Sequence, residues 1–154
     1  MTPNASCPDT SGALSVFHAA VDELNRRYGK HDDAPRMTLD ELMPPLGLFL
    51  VARVDGHPAG GVGVRPIGDP AQRLGEVKRL WVRPDLRRGG VATDLMSAIE
   101  TRARQLGYER LYLETGPAQP EALALYVTTG WTPVDEFPPG AFAHRDSHRF
   151  TKAL

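Results

Sequence analysis

The chain has 154 residues, the size of one domain, and 41% hydrophobic against 24% charged residues is enough to bury a core without a disulfide or a metal. Lys and Arg number 18 against 19 Asp and Glu, a net charge of −1, which excludes the cationic surplus that nucleic-acid binding needs. One cysteine, Cys7, excludes an internal disulfide and a cysteine-built zinc site, and no run approaches the roughly 18 apolar residues of a membrane span. A single domain over 1–154, soluble and cytoplasmic, is expected.

Apolar residues at Leu14, Phe17, Val21, Leu24 and Tyr28 recur at helical spacing, and Gly29 ends that helix. Residues 30–36 are charged, carry Pro35 and read as a loop; Thr38 and Glu41 form a capping box for a short helix over 39–43 that stops at Pro44-Pro45. Residues 48–54 and 58–67 read as two strands joined by the hairpin signal Asp55-Gly56, the second loosened by Gly60, Gly61 and Gly63. Residues 76–82 alternate with apolar side chains on both faces, as in a central strand.

The strongest helix begins near Val91, places Leu95, Ile99, Ala103 and Leu106 on one face, and ends at Gly107. A strand over 111–114 follows, then a helix opened by Pro120, with Ala122, Leu125 and Tyr126 inward and Gly130 at its end. Residues 131–137 and 148–153 read as two last strands. A strand, a long helix and a strand in sequence form a βαβ unit, so the expected fold is mixed α/β: a mostly antiparallel sheet with a central parallel pair.

Chemistry concentrates at Arg87-Arg88-Gly89-Gly90-Val91-Ala92, where a turn with little side-chain bulk enters a helix. The first N–H groups of a helix lack internal partners and its N-terminus carries about half a positive charge, so such a turn presents an anion site to which Arg87 and Arg88 add charge. Taken alone, two glycines serve equally to permit a tight turn. There is no G-x-x-x-x-G-K-[ST], and Gly61-Val62-Gly63 continues as a strand rather than entering a helix, so P-loop and Rossmann readings fail.

The segment resembles the GNAT superfamily of acetyl-CoA-dependent N-acetyltransferases, whose signature R/Q-x-x-G-x-G/A stands here as residues 87–92. The likeness extends over 76–131: Glu-Val-Lys-Arg-Leu-Trp-Val before the motif, Leu-Glu-Thr-Gly beyond the helix, then Ala-Leu-Ala-Leu-Tyr and Gly-Trp. It implies a GNAT-like sheet with helices on both faces and with the strands at 76–82 and 111–114 splayed apart. The backbone of Leu80, Trp81 and Val82 would then bond the pantetheine arm of acetyl-CoA, and the N–H groups of Arg88, Gly89, Gly90, Val91, Ala92 and Thr93 would hold its pyrophosphate. Gln119 stands where the family often has an asparagine touching the cofactor. Residues 1–10, with Pro3 and Pro8, depart from the strand with which the family normally opens.

Tyr126 matches the residue that many members use as general acid toward the departing thiolate; an aromatic ring on the buried side of a helix is the plain alternative. Glu76 is the candidate base, weighed against a strand-end charge paired with Lys78 or an arginine, and Glu114 is a second candidate. Against an amine of pKa ~10, a carboxylate at ~4.3 needs a raised pKa or a water relay.

His144 and His148 flank Asp146 at a metal-like spacing, but in a loop entering a strand, so no metal is expected. His18, His31 and His57 read as solvent-facing, and Trp81 and Trp131 as core. The expected partners are acetyl-CoA and a small primary amine, drawn in by Asp32, Asp33 and Asp146 in loops 28–36 and 137–146. The reading leaves room for a homodimer and for one rival, an acyl-CoA-binding sensor without turnover.

Overall fold

The computed structural model describes residues 10–29 and 37–154; Cys7, His31, Asp32, Asp33 and the segment where an opening family strand would stand lie outside the described residues. Helix α1 spans Thr10–Tyr28. Its buried stripe is Ala13, Val16, Phe17 and Ala20, while Leu14 and Tyr28 are 44% and 40% exposed, so the helix is rotated from the face that its large apolar residues suggest. The partner surface explains the rotation. A Cβ added at Gly61 in the neighbouring strand would collide with Val16 and Phe49, and one at Gly63 with Leu42 and Phe49. Val16 makes the close contact with that glycine stripe, and Leu14 and Tyr28 fall outside the packed face.

A 3₁₀ turn at Leu39–Leu42 leads to strand β1, Leu48–Val54, and the Asp55-Gly56 pair, both at positive φ, returns the chain into β2, His57–Ile67. Then come β3 (Leu74–Val82), α2 (Val91–Gln105), β4 (Arg110–Thr115), α3 (Pro120–Thr128), β5 (Thr132–Val134) and β6 (His148–Ala153). The strand expected over 131–137 is shorter than its pattern. Trp131 instead turns into the core, and beyond Val134 the chain leaves the sheet for a loop that lies against β4.

The sheet runs β1-β2-β3-β4-β6-β5, antiparallel except for β3 and β4, with α2 as the crossover between that pair. Helices α2 and α3 cover one face, packing Leu95, Ile99, Ala103 and Tyr126 onto Leu50, Val62, Val77, Leu111 and Leu113. Leu106, expected on that inner face, is 38% exposed because α2 has ended and Leu106 serves as its C-cap. Helix α1 and the 3₁₀ turn cover the other face at its β1–β3 end through Phe17, Leu42, Phe49 and Val51. Strand β1 is therefore apolar on both sides although it lies at the sheet edge.

Candidate active site

Strands β3 and β4 pair only at Leu74–Arg110, Gly75–Leu111 and Glu76–Tyr112. Beyond Glu76 the two diverge, so residues 77–82 have no ladder partner on the side facing β4. The cause lies in β3. Between Gly61–Trp81 and Gly63–Lys78 the register gains one residue on β3, and Arg79 there takes φ +59°, a left-handed conformation rare outside glycine. That bulge bends the strand away from its parallel neighbour and leaves the backbone of Leu80, Trp81 and Val82 at the rim of the gap. Gly60 makes the bend possible, since a Cβ there would strike the Trp81 carbonyl.

The turn after β3 enters α2 through Arg88 at φ +66° and Gly90 at φ +88°, the helix N-cap. The first ladder bond of α2 runs from the Asp94 N–H to the Gly90 carbonyl at 3.0 Å, so the N–H groups of Val91, Ala92 and Thr93 have no partner in the helix. Gly89 and Gly90 are exposed, and an added Cβ at Gly90 would meet nothing within 4 Å. An open cradle of free N–H groups at a helix N-terminus fits a pyrophosphate.

The two arginines at this turn differ in what they do. Arg88 is exposed and makes no ion pair among the described residues. Arg87 is engaged: its Nε–H donates to the Val82 carbonyl at 2.8 Å, and its Nη2 donates to Glu23 of α1 at 2.5 Å. The charge expected from Arg87 at the anion site is therefore balanced by a carboxylate, and the residue acts as a brace.

Glu76 is 1% exposed, so it is not a strand-end surface charge. Its Oε1 accepts from Arg65 Nε at 3.2 Å and Nη2 at 3.0 Å, and Arg65 also donates to Glu41 at 2.9 Å. The other oxygen, Oε2, is buried without a hydrogen bond among the described residues, 3.6 Å from Lys78 Nζ. Burial pushes the Lys78 ammonium below its ordinary pKa, a shift opposed by Glu76, reinforced by Arg79 and Arg65, and opposed again by Glu114.

Glu114 anchors the loop between β5 and β6: it accepts from the His144 N–H at 2.8 Å and the Ser147 hydroxyl at 2.7 Å, and His144 Nδ1 lies 2.8 Å away. Burial pushes its carboxyl up, but the hydrogen bonds from Ser147 and His144 outweigh burial and hold it below the usual carboxylate value. With both oxygens occupied it is an anchor rather than a base. Tyr112 on the same face meets Phe137 edge-on at 5.6 Å. His144 is thus tied to Glu114, and among the described residues no group of three or more His, Cys, Asp or Glu side chains is placed to hold a metal. Asp146, His18 and His57 are exposed.

Tyr126 is 5% exposed, with its ring 6.1 Å from Trp131 and 5.7 Å from Phe150. Burial alone pushes its phenol above the ordinary value of 10. It belongs to the same hydrophobic core as Val82, Val91 and Leu113. Gln119, the N-cap of α3, directs its amide oxygen to the Gly116 N–H and the Tyr28 hydroxyl, each at 3.3 Å, leaving only its NH₂ for other contacts. The sequence reading did not find Glu23, Arg27, Tyr28, Arg65 or Ser147, since single polar residues on separate elements carry no spacing signal. Only Arg65, a cation amid the apolar run of β2, marks itself by breaking that run.

Comparison with known proteins agrees with this geometry. The profile of the acetyltransferase (GNAT) family matches residues 17–131. The IAA acetyltransferase of Azospirillum brasilense is 34% identical over 140 residues, covering 89% of this chain and 90% of that protein. Among solved structures, an acetyltransferase of the GNAT family from Staphylococcus aureus superposes with a TM-score of 0.78 at 13% identity, covering 97% of each chain. A GNAT family acetyltransferase from Elizabethkingia anophelis, solved with acetyl-CoA bound, superposes with a TM-score of 0.59 at 18% identity, covering 80% of this chain and 95% of that one. A splayed parallel pair with a glycine turn at the N-terminus of the crossover helix is the architecture of an acyltransferase, and the chain belongs to the acetyltransferase (GNAT) family.

Proposed function

We propose that the protein transfers an acetyl group from acetyl-CoA directly to the primary amine of a small molecule. The observation that carries this reading is the gap that opens between β3 and β4 beyond Glu76 and Tyr112, with the free N–H groups of α2 at its rim. The pantetheine arm enters that gap along the edge of Leu80, Trp81 and Val82 that faces β4, where the Val82 carbonyl is already held by Arg87. The pyrophosphate rests on the N–H groups of residues 88–93, with Arg88 as its cation and the NH₂ of Gln119 nearby.

The thioester supplies the acetyl group and a thiolate leaving group. Toward that thiolate Tyr126 is a hydrogen-bond donor: burial raises its phenol, so complete proton transfer costs more than for an exposed tyrosine, while donation to a developing charge in a dry site is strengthened. On the opposite face of the sheet Glu76 Oε2 is free of hydrogen bonds among the described residues, and it takes the amine proton through one water. Asp146 on the exposed loop, with Asp32 and Asp33, attracts a cationic amine.

The test is a screen of primary amines with detection of the free thiol released from acetyl-CoA. Amine-dependent release supports the reading. Tight binding of acetyl-CoA with no release under any amine would instead favour the sensor.

A further inference from the structure

The last two turns of α1 hold both rims of the β3–β4 gap. On the β3 rim, Glu23 accepts from Arg87 Nη2 while the same guanidinium, through Nε, caps the Val82 carbonyl at 2.8 Å. The Arg87 side chain, just before the glycine turn, therefore joins the last residue of β3 to a carboxylate on α1. On the other rim, Arg27 donates to the Ala118 carbonyl at 2.8 Å and pairs with Glu121 at 2.6 Å, and the Tyr28 hydroxyl accepts from the Ala118 N–H at 3.0 Å. Gly116 leaves the room for that tyrosine, since a Cβ there would collide with its hydroxyl.

We infer that Glu23 is a positioning residue for the pyrophosphate-binding turn, acting through Arg87. Arg88 and Gly90 both sit at positive φ, a conformation that a non-glycine residue adopts only at a cost, so the turn needs an outside restraint to keep its N–H groups converging. Arg87 is the residue immediately before it, and its guanidinium is fixed at two points. The Val82 carbonyl fixes one edge of the fork. Glu23, whose side chain is 19% exposed, fixes the other and neutralises the charge, so that Arg87 cannot swing toward the phosphates and drag the turn with it. Glu23 Oε2 also lies 3.7 Å from Arg27 Nη2, but Arg27 keeps its bonds to Ala118 and Glu121, and Tyr28 and the buried stripe seat the helix as well, so loss of the Glu23 carboxylate frees Arg87 without releasing α1.

This inference rests on the proposed use of acetyl-CoA and makes α1 part of the cofactor machinery. Its test compares the wild type with Glu23→Gln, which keeps size and helix propensity and removes the charge. Two probes are titrated: CoA by calorimetry, and pantetheine, which has no phosphates, by ligand-observed NMR. The expected result is a loss of roughly fivefold or more in CoA affinity with pantetheine affinity unchanged, within the range measured for coupled ion pairs. A merely structural loosening would weaken both.

In a double-mutant cycle with Arg87→Met, the double variant should bind CoA no worse than Arg87→Met alone, because Glu23 acts on the turn through that arginine and its 3.7 Å pair with Arg27 leads to the other rim. Wild-type CoA affinity in Glu23→Gln overturns the inference and leaves the cofactor reading standing. Equal loss for both probes overturns it as well, and a wild-type protein that binds no CoA sinks both. Should Arg87→Met fail to fold, the two-probe comparison on Glu23→Gln decides alone.

Discussion

Replacing Tyr126 by Phe separates chemistry from packing because only the chemistry should respond. The ring, 5% exposed, edge-on to Trp131 and tilted against Phe150, is kept in full. What is removed is a hydroxyl that burial alone perturbs, with no hydrogen bond contributing among the described residues. The hydroxyl is not among the buried polar atoms left without a partner, so its loss should change stability by less than about 1 kcal/mol, or about 2–4 °C in Tm for a chain of this size. The rate should fall. Loss of a donor aimed at the departing thiolate lowers kcat by roughly ten- to a thousandfold, about 1.4–4 kcal/mol of barrier, with acetyl-CoA affinity little changed. The assay is thiol release under single-turnover conditions, so that slow product release does not mask the step. A Phe variant that keeps the wild-type single-turnover rate refutes the role, and the tyrosine then belongs to the core alone.

At the glycine turn, Gly90→Ala is strained by its φ of +88° as well as by its approach to the phosphates, and should lose stability together with at least tenfold in CoA affinity. Gly89→Ala, whose added Cβ makes an ordinary 3.5 Å contact, should keep its Tm, so calorimetry on the pair isolates the anion contact. Arg65→Met leaves the buried Glu76 with only Lys78, 3.6 Å away, and should cost about 3 kcal/mol in urea unfolding; a loss below 1 kcal/mol would mean that the ion pair contributes little. For Glu114 the folded carboxyl lies below its ordinary value of 4.5, so its anchoring of the 135–147 loop is fully present above that pH and is lost as the pH falls through the folded value. Hydrogen exchange at the His144 amide should rise relative to the core between pH 5 and 3, and constant relative protection would sink the assignment.

The parts of this fold that repeat were legible, and the parts that depend on single side chains were not. The hairpin at Asp55-Gly56, the long α2 with Leu95, Ile99 and Ala103 buried, and the glycine turn at its start follow from periodicity and turn chemistry. Helix α1 misled because its inward residues are small, with Ala13 and Ala20 in place of Leu14 and Tyr28, and the reason lies in a different strand at Gly61 and Gly63. The register gain at Arg79 leaves no mark in the sequence, since an arginine in a left-handed conformation is imposed by its neighbours. Likewise Glu76 reads on a strand as an alternating polar residue; that it is buried, and that Arg65 occupies one of its oxygens, are consequences of tertiary packing.

The glycine stripe of β2 has a further consequence for how this protein tolerates change. A methyl group at Gly61 presses on Val16 of α1, and α1 reaches through Glu23 to the turn before α2 and through Arg27 to the loop before α3. A strand position remote in sequence from either rim is thereby geared to both. Substitution tolerance should therefore follow the lever arm of α1 rather than proximity to the gap, and a map of neutral variants would show β2 glycines as intolerant as the turn itself.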